Sequence, residues 1–108
     1  MDIETIRFLV AEGNYVGTTH FYERLDERKI DLDQVKIAIA TGFILEERPK
    51  EKLHPKCTIE GFVDKDFGGG FQFRVPLYLA VALDEGVIFL SANWNPPRSL
   101  GQKRGKRR

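Results

Sequence analysis

The sequence predicts an α+β fold in which three N-terminal helices precede a four-stranded antiparallel sheet and pack on it. As far as Gly42, apolar residues recur at helical spacing behind cap residues, and from Phe43 onward they alternate with polar ones. The chain has 108 residues, of which 42% are hydrophobic, and this is enough for one core. We therefore expect residues 1–97 to form a single domain.

Each predicted helix begins at a residue whose side chain caps free backbone N–H groups. The N-cap residues are Asp2, Thr18 and Asp31. Gln34, three residues after the last of these, completes a capping box. Gly13 and Gly42 end the first and third helices. Residues 15–17 are predicted to be a connector between the first two helices.

Four strands are predicted, over residues 44–48, 57–63, 71–83 and 87–94. In the third strand every odd position from Phe71 to Leu83 is apolar, so this face is expected to pack on the helices and the even face to be more open. The glycine run at 68–70 is predicted to be a hairpin turn. Gly86 is predicted to occupy the left-handed position of a second hairpin connection.

Charge divides the chain into an acidic body and a basic tail. The tail, residues 98–108, carries six of the 17 basic residues and no acid, so residues 1–97 hold 11 bases against 16 acids and sum to −5. We expect the tail to be disordered and attracted to polyanions such as nucleic acid. A solvated tail that aids solubility, or one that docks on the acidic body, is an equally good interpretation.

The single cysteine and the hydropathy pattern indicate a cytoplasmic protein. Cys57 has no partner for an intrachain disulfide, and its place in an apolar alternation favours a small core residue over a reactive thiol. No basic region is followed by an apolar segment at the N-terminus, and no stretch of 18 apolar residues occurs. We therefore expect neither secretion nor a membrane span.

Residues 18–28 carry the charge pattern that most favours a function. In a helix His20, Arg24 and Arg28 recur every fourth residue and form one line, the cationic stripe, while acidic residues occupy neighbouring lines. Like charges four residues apart repel by a few tenths of a kcal/mol, so helix stability alone does not favour this arrangement. His20 falls in the first turn, where backbone N–H groups and the helix dipole favour an anion such as phosphate.

Two interpretations of the cationic stripe stay open. In the first, His20 is an acid or base and the two guanidinium groups stabilise charge on a reacting phosphate. In the second, Arg24 pairs with Glu27, Arg28 pairs with an acid on another helix, and His20 only caps. The spacing alone favours the second. We expect no cofactor and no metal, because the glycine run lacks a phosphate-loop context and no Cys/His set completes a metal site.

The same stretch resembles an uncharacterised bacterial family of small domains. The shared pattern is Thr-x-His, two Arg residues at successive intervals of four, then Ile and a helix with an acidic start. Here it reads Thr18-Thr19-His20, Arg24, Arg28, Ile30 and residues 31–42. The strand that begins at Pro76-Leu77 and the last strand are also similar, so the resemblance covers residues 15–96. The family is commonly grouped with RelE/ParE-like toxins of toxin–antitoxin systems, which place helices on one face of an antiparallel sheet.

This resemblance implies metal-independent RNA cleavage, in which a ribose 2′-hydroxyl attacks the adjacent phosphate. It implies that His20 is the acid or base and that Arg24 and Arg28 contact phosphate. Arg74 and Tyr78, on the open face of the long strand, would be further substrate contacts. RNA and an antitoxin-like protein are the implied partners. The alternative, which the acidic body favours, is a non-catalytic, regulatory domain that binds nucleic acid or protein on the same scaffold.

Overall fold

The computed structural model describes residues 1–48 and 54–97, and within these ranges the chain forms an α+β domain of three helices and five strands. The helices are α1 (Ile3–Ala11), α2 (Thr19–Arg28) and α3 (Leu32–Thr41). The strands are β1 (Tyr15–Gly17), β2 (Phe43–Arg48), β3 (Lys56–Asp66), β4 (Gln72–Leu83) and β5 (Val87–Asn93). The predicted basic tail, residues 98–108, lies outside the described residues. Of the helices described, none has the length and apolar character needed to cross a membrane.

The cap residues predicted from the sequence begin all three helices. The Asp2 carboxylate accepts a hydrogen bond from the first turn of α1 at 3.2 Å, and Thr18 Oγ1 accepts one from the Phe21 N–H at 3.1 Å. The Asp31 N–H donates to Gln34 Oε1 at 2.8 Å as part of the predicted capping box. Caps join atoms two or three residues apart, so sequence alone is sufficient to find them.

The five strands form one mixed sheet in the order β1-β5-β4-β3-β2. β1 runs parallel to β5, whereas the other neighbours are antiparallel. The prediction of a connector at residues 15–17, and hence of four antiparallel strands, is therefore wrong. Tyr15 pairs with Val87, and the Thr18 N–H extends the contact by donating to the Phe89 carbonyl at 3.1 Å. Three residues are too few to show alternation, so the strand depends on β5 lying beside it.

The helices pack on one face of the sheet. The fully buried residues of β3 and β4 on this face are Ile59, Val63, Leu77, Leu79 and Val81. Phe21 of α2 stacks on Phe89 of β5, with ring centroids 5.1 Å apart and planes at 17°. α3 lies so close to β3 that a Cβ atom at Gly61 would overlap the backbone of Ala38. These contacts fix α2 over β5 and α3 over β3.

The β3–β4 hairpin projects beyond the rest of the sheet. β2 pairs with β3 only as far as Glu60 and β5 pairs with β4 only as far as Tyr78, whereas β3 and β4 stay paired to their ends. Residues 61–77, which comprise these two strand ends and the turn between them, therefore form a two-stranded extension, the ribbon. Phe71 and Phe73 follow the alternation that predicted a packed face, yet they are 65% and 55% exposed. The prediction is wrong for these two residues because the ribbon continues past the helices.

Gly86 also differs from its prediction. The residue is not among those with positive φ, so it does not take the left-handed conformation. The absence of a side chain instead makes room for Asn14, whose carboxamide and carbonyl oxygens would overlap a Cβ atom at this position. Asn14 links the segment after α1 to the connection between β4 and β5. Its Nδ2 donates to the Glu85 carbonyl and its own carbonyl accepts from the Val87 N–H, both at 3.1 Å.

Candidate functional site

The cationic stripe lies on α2, and its three residues have different surroundings. His20 is exposed in the first turn, and in the ranges 1–48 and 54–97 no hydrogen bond or ion pair engages its ring. Arg24 Nη1 lies 2.6 Å from Glu27 Oε1, one turn further along the helix. Arg28 Nη1 donates to the Ala92 carbonyl of β5 at 2.6 Å. The stripe is therefore an exposed imidazole followed by two partly buried guanidinium groups.

The second interpretation of the stripe is correct for one arginine and wrong for the other. Arg24 does pair with Glu27, but Arg28 bonds to a backbone carbonyl and not to an acid on another helix. β1 pairs with β5 only as far as Phe89, so Ala92 lies beyond the end of this edge strand. The Ala92 carbonyl accepts its hydrogen bond from the Arg28 side chain and not from β1. A guanidinium group carries five N–H donors, so each arginine keeps donors that a phosphate can use.

Arg74 and Tyr78 lie on the other side of the sheet. The alternation of β4 places both opposite Leu77 and Leu79, which are buried beneath the helices. The exposed Arg74 lies 3.9 Å from an Asp64 oxygen. Tyr78 donates to a Glu60 carboxylate at 3.4 Å. The structure therefore separates the five predicted site residues into the stripe on the helical side and this pair on the open face.

The open face holds a small cleft beside Tyr78. Its volume is about 180 Å³, and its lining includes the side chains of Thr58, Ser91 and Asn93. These groups are uncharged hydrogen-bond donors and acceptors. The cleft can therefore accept a polar group without a formal charge.

Three aromatic and cationic residues that the sequence interpretation did not place in the site adjoin the stripe. Trp94 Nε1 donates to the Arg28 carbonyl at 2.8 Å. The Lys65 ammonium lies 4.3 Å from the centroid of the Trp94 ring and 5.1 Å from that of Phe67. These contacts connect the C-terminal end of the stripe to the ribbon. The available signal in the sequence was the set of aromatic residues around the glycine run at 68–70.

Cys57 and the residue types that bind metals are the other candidates for chemistry in the described part of the chain. Cys57 is 4% exposed, as expected for a core residue, and burial raises the pKa of its thiol to about 11. A raised pKa disfavours the nucleophilic thiolate. Among residues 1–48 and 54–97, no three His, Cys, Asp or Glu side chains are grouped so that they could hold a metal ion.

Comparison with protein families gives one result for the segment that contains the stripe. Residues 18–67 match DUF4258. This is a domain of unknown function, so residues 18–67 are similar to an uncharacterised domain family and the match supplies no activity. The DUF4258 segment contains α2, α3, β2 and β3, and therefore the whole stripe and Lys65, whereas Arg74, Tyr78 and Trp94 lie after it. Searches of curated proteins and of solved structures give no significant match.

Proposed function

We propose that the domain acts on RNA, and that its activity is a toxin-like, metal-independent cleavage centred on the cationic stripe. The observation that supports this proposal is the exposed imidazole of His20 in the first turn of α2, which no hydrogen bond or ion pair engages within residues 1–48 and 54–97. Guanidinium groups follow one and two turns further along the helix. Helical geometry gives a rise of about 6 Å from each of these residues to the next, which is near the spacing of adjacent phosphates in an extended strand.

The proposed reaction needs a base and a group that stabilises negative charge. The His20 imidazole accepts the proton of a ribose 2′-hydroxyl, whose oxygen then bonds to the adjacent phosphorus. The bond from phosphorus to the 5′-oxygen breaks, and that oxygen takes a proton from solvent. The products are a 2′,3′-cyclic phosphate and a free 5′-hydroxyl. Arg24, through N–H donors other than the one bonded to Glu27, stabilises the charge on the phosphate oxygens during the transfer.

A second candidate is a non-catalytic domain that binds nucleic acid or protein. Two observations favour it: both arginines already hold a partner within the protein, and the predicted substrate contacts Arg74 and Tyr78 lie across the sheet from His20. The charge of −5 on residues 1–97 also opposes RNA binding away from the stripe. In this case the stripe would bind without cleaving.

RNA degradation by the purified full chain in EDTA tests the proposal. General acid–base catalysis contributes about 10²- to 10⁴-fold, so His20→Ala should lower the cleavage rate by at least about 100-fold and Arg24→Ala by at least about tenfold. His54→Ala and Lys36→Ala are the matched controls, since they remove a histidine and a cation away from α2. Equal cleavage by all variants would exclude the assigned site. If the unmodified protein leaves the RNA intact, the second candidate, a non-catalytic binding domain, becomes the better interpretation.

A further inference from the structure

We infer that the ribbon and Trp94 form a stacking platform for the bases of single-stranded RNA, next to the cationic stripe. The inference rests on the proposed function, because it identifies the substrate of that site as an unpaired strand. The stripe would hold phosphates, and the platform would hold the bases that follow along the strand.

The ribbon presents three phenylalanine rings to solvent. Phe67, Phe71 and Phe73 are 56%, 65% and 55% exposed. With roughly 200 Å² for each side chain, they expose roughly 350 Å² together. A patch of this size on a single domain is often functional. Gly68, Gly69 and Gly70 close the turn between the rings without adding side chains that would obstruct them.

The rings and cations are joined by a series of contacts. Phe67 meets Phe73 edge to face, with centroids 5.6 Å apart. The Lys65 ammonium lies near both Phe67 and Trp94, and Trp94 is bonded to the Arg28 carbonyl at the end of the stripe. Rings that alternate with cations are the combination by which proteins bind single strands without sequence preference, because every base has a π face and a neighbouring phosphate.

The same observations argue against an apolar protein partner or a second copy of the chain. Two copies joined through these three phenylalanines would bury roughly 700 Å², which is below the roughly 1,200 Å² of a stable interface. An apolar partner would also remove water from the Lys65 ammonium and offer no charge in return. A nucleic acid strand satisfies both groups, since its bases cover the rings and its phosphates approach the cation.

Binding of a fluorescein-labelled 2′-O-methyl uridine octamer to the full chain tests the platform. The methyl group blocks the attacking oxygen, so fluorescence anisotropy reports binding without cleavage. Phe67→Ser combined with Phe73→Ser should raise the Kd by about 30-fold or more, because two stacking contacts are lost. Phe8→Ser on α1 is the matched control, since this phenylalanine is 64% exposed and distant in sequence from the ribbon. Binding of the octamer should also quench the fluorescence of Trp94, the single tryptophan.

The outcomes separate the platform from the catalytic proposal. An equal Kd for the double variant and Phe8→Ser, or no binding by the unmodified protein, would overturn the platform even if RNA is cleaved. Self-association that disappears in the double variant would also overturn it, since the ribbon would then join copies of the chain. Octamer binding that depends on the two phenylalanines supports the platform, even if no RNA is cleaved and the catalytic proposal fails.

Discussion

Replacing Glu27 with Gln should strengthen RNA binding if Arg24 contacts phosphate. In the folded protein the Glu27 carboxylate holds Arg24 at 2.6 Å and competes with a phosphate for the same guanidinium group. The two side chains are 27% and 57% exposed, so their interaction has the size of a partly exposed ion pair, about 0.2–1 kcal/mol. Release of this competition should lower the Kd for RNA by about 1.4-fold to fivefold. The free energy of unfolding should fall by less than about 1 kcal/mol.

The assay is the anisotropy titration with the 2′-O-methyl uridine octamer, at two salt concentrations. Glu23→Gln is the control, because it makes the same change of charge on the same helix. Among the described ion pairs, the partner of Arg24 is Glu27, so the control leaves this pair intact. Both variants remove one negative charge from the domain, so a general gain in RNA affinity should appear in both and decrease as the salt concentration rises. If Glu27→Gln binds no more tightly than Glu23→Gln, Arg24 is not a phosphate contact and the pair has a purely structural role.

Two further predictions concern the scaffold. Gly61→Ala should lower the free energy of unfolding by about 3 kcal/mol, because its Cβ atom would overlap the Ala38 backbone, whereas Gly68→Ala should cost only about 1 kcal/mol for its positive φ in open space. Urea denaturation measures both values, and equal losses would contradict the close approach of α3 to β3. The thiol of Cys57 should make the free energy of unfolding depend on pH. Burial raises its pKa to about 11 in the folded chain from an ordinary 9.0, so the thiol of the unfolded chain loses its proton first. The free energy of unfolding should therefore fall as pH rises from 9 toward 11. The same slope in Cys57→Ala, from denaturation at several pH values, would contradict this account.

The features that sequence predicts well here are those made by atoms close together in the chain. Thr18 caps α2 with a bond to the third residue after it, and Asp31 with Gln34 does the same for α3. These caps also placed His20 correctly in a first helical turn. The ion pair between Arg24 and Glu27 follows equally from a spacing of three residues.

The roles of the other site residues depend on segments that are distant in sequence. The partner of Arg28 is the carbonyl of Ala92, 64 residues later, and this carbonyl is accessible to it because β1 ends opposite Phe89. Trp94 likewise reaches the stripe only through the fold, because its bond to the Arg28 carbonyl spans 66 residues and it also contacts Lys65. No periodicity or motif encodes which distant carbonyl a guanidinium group reaches.

The helices, their caps, the four longer strands and the cationic stripe can be predicted from the sequence, because each depends on spacing within one segment. The strand at residues 15–17 arises from folding, since a parallel edge needs β5 beside it. Only the tertiary structure left Phe71 and Phe73 in solvent, since an alternating pattern marks a face but not where the helices covering it end. In both cases, burial and strand pairing depend on neighbours brought together by folding, not on local spacing.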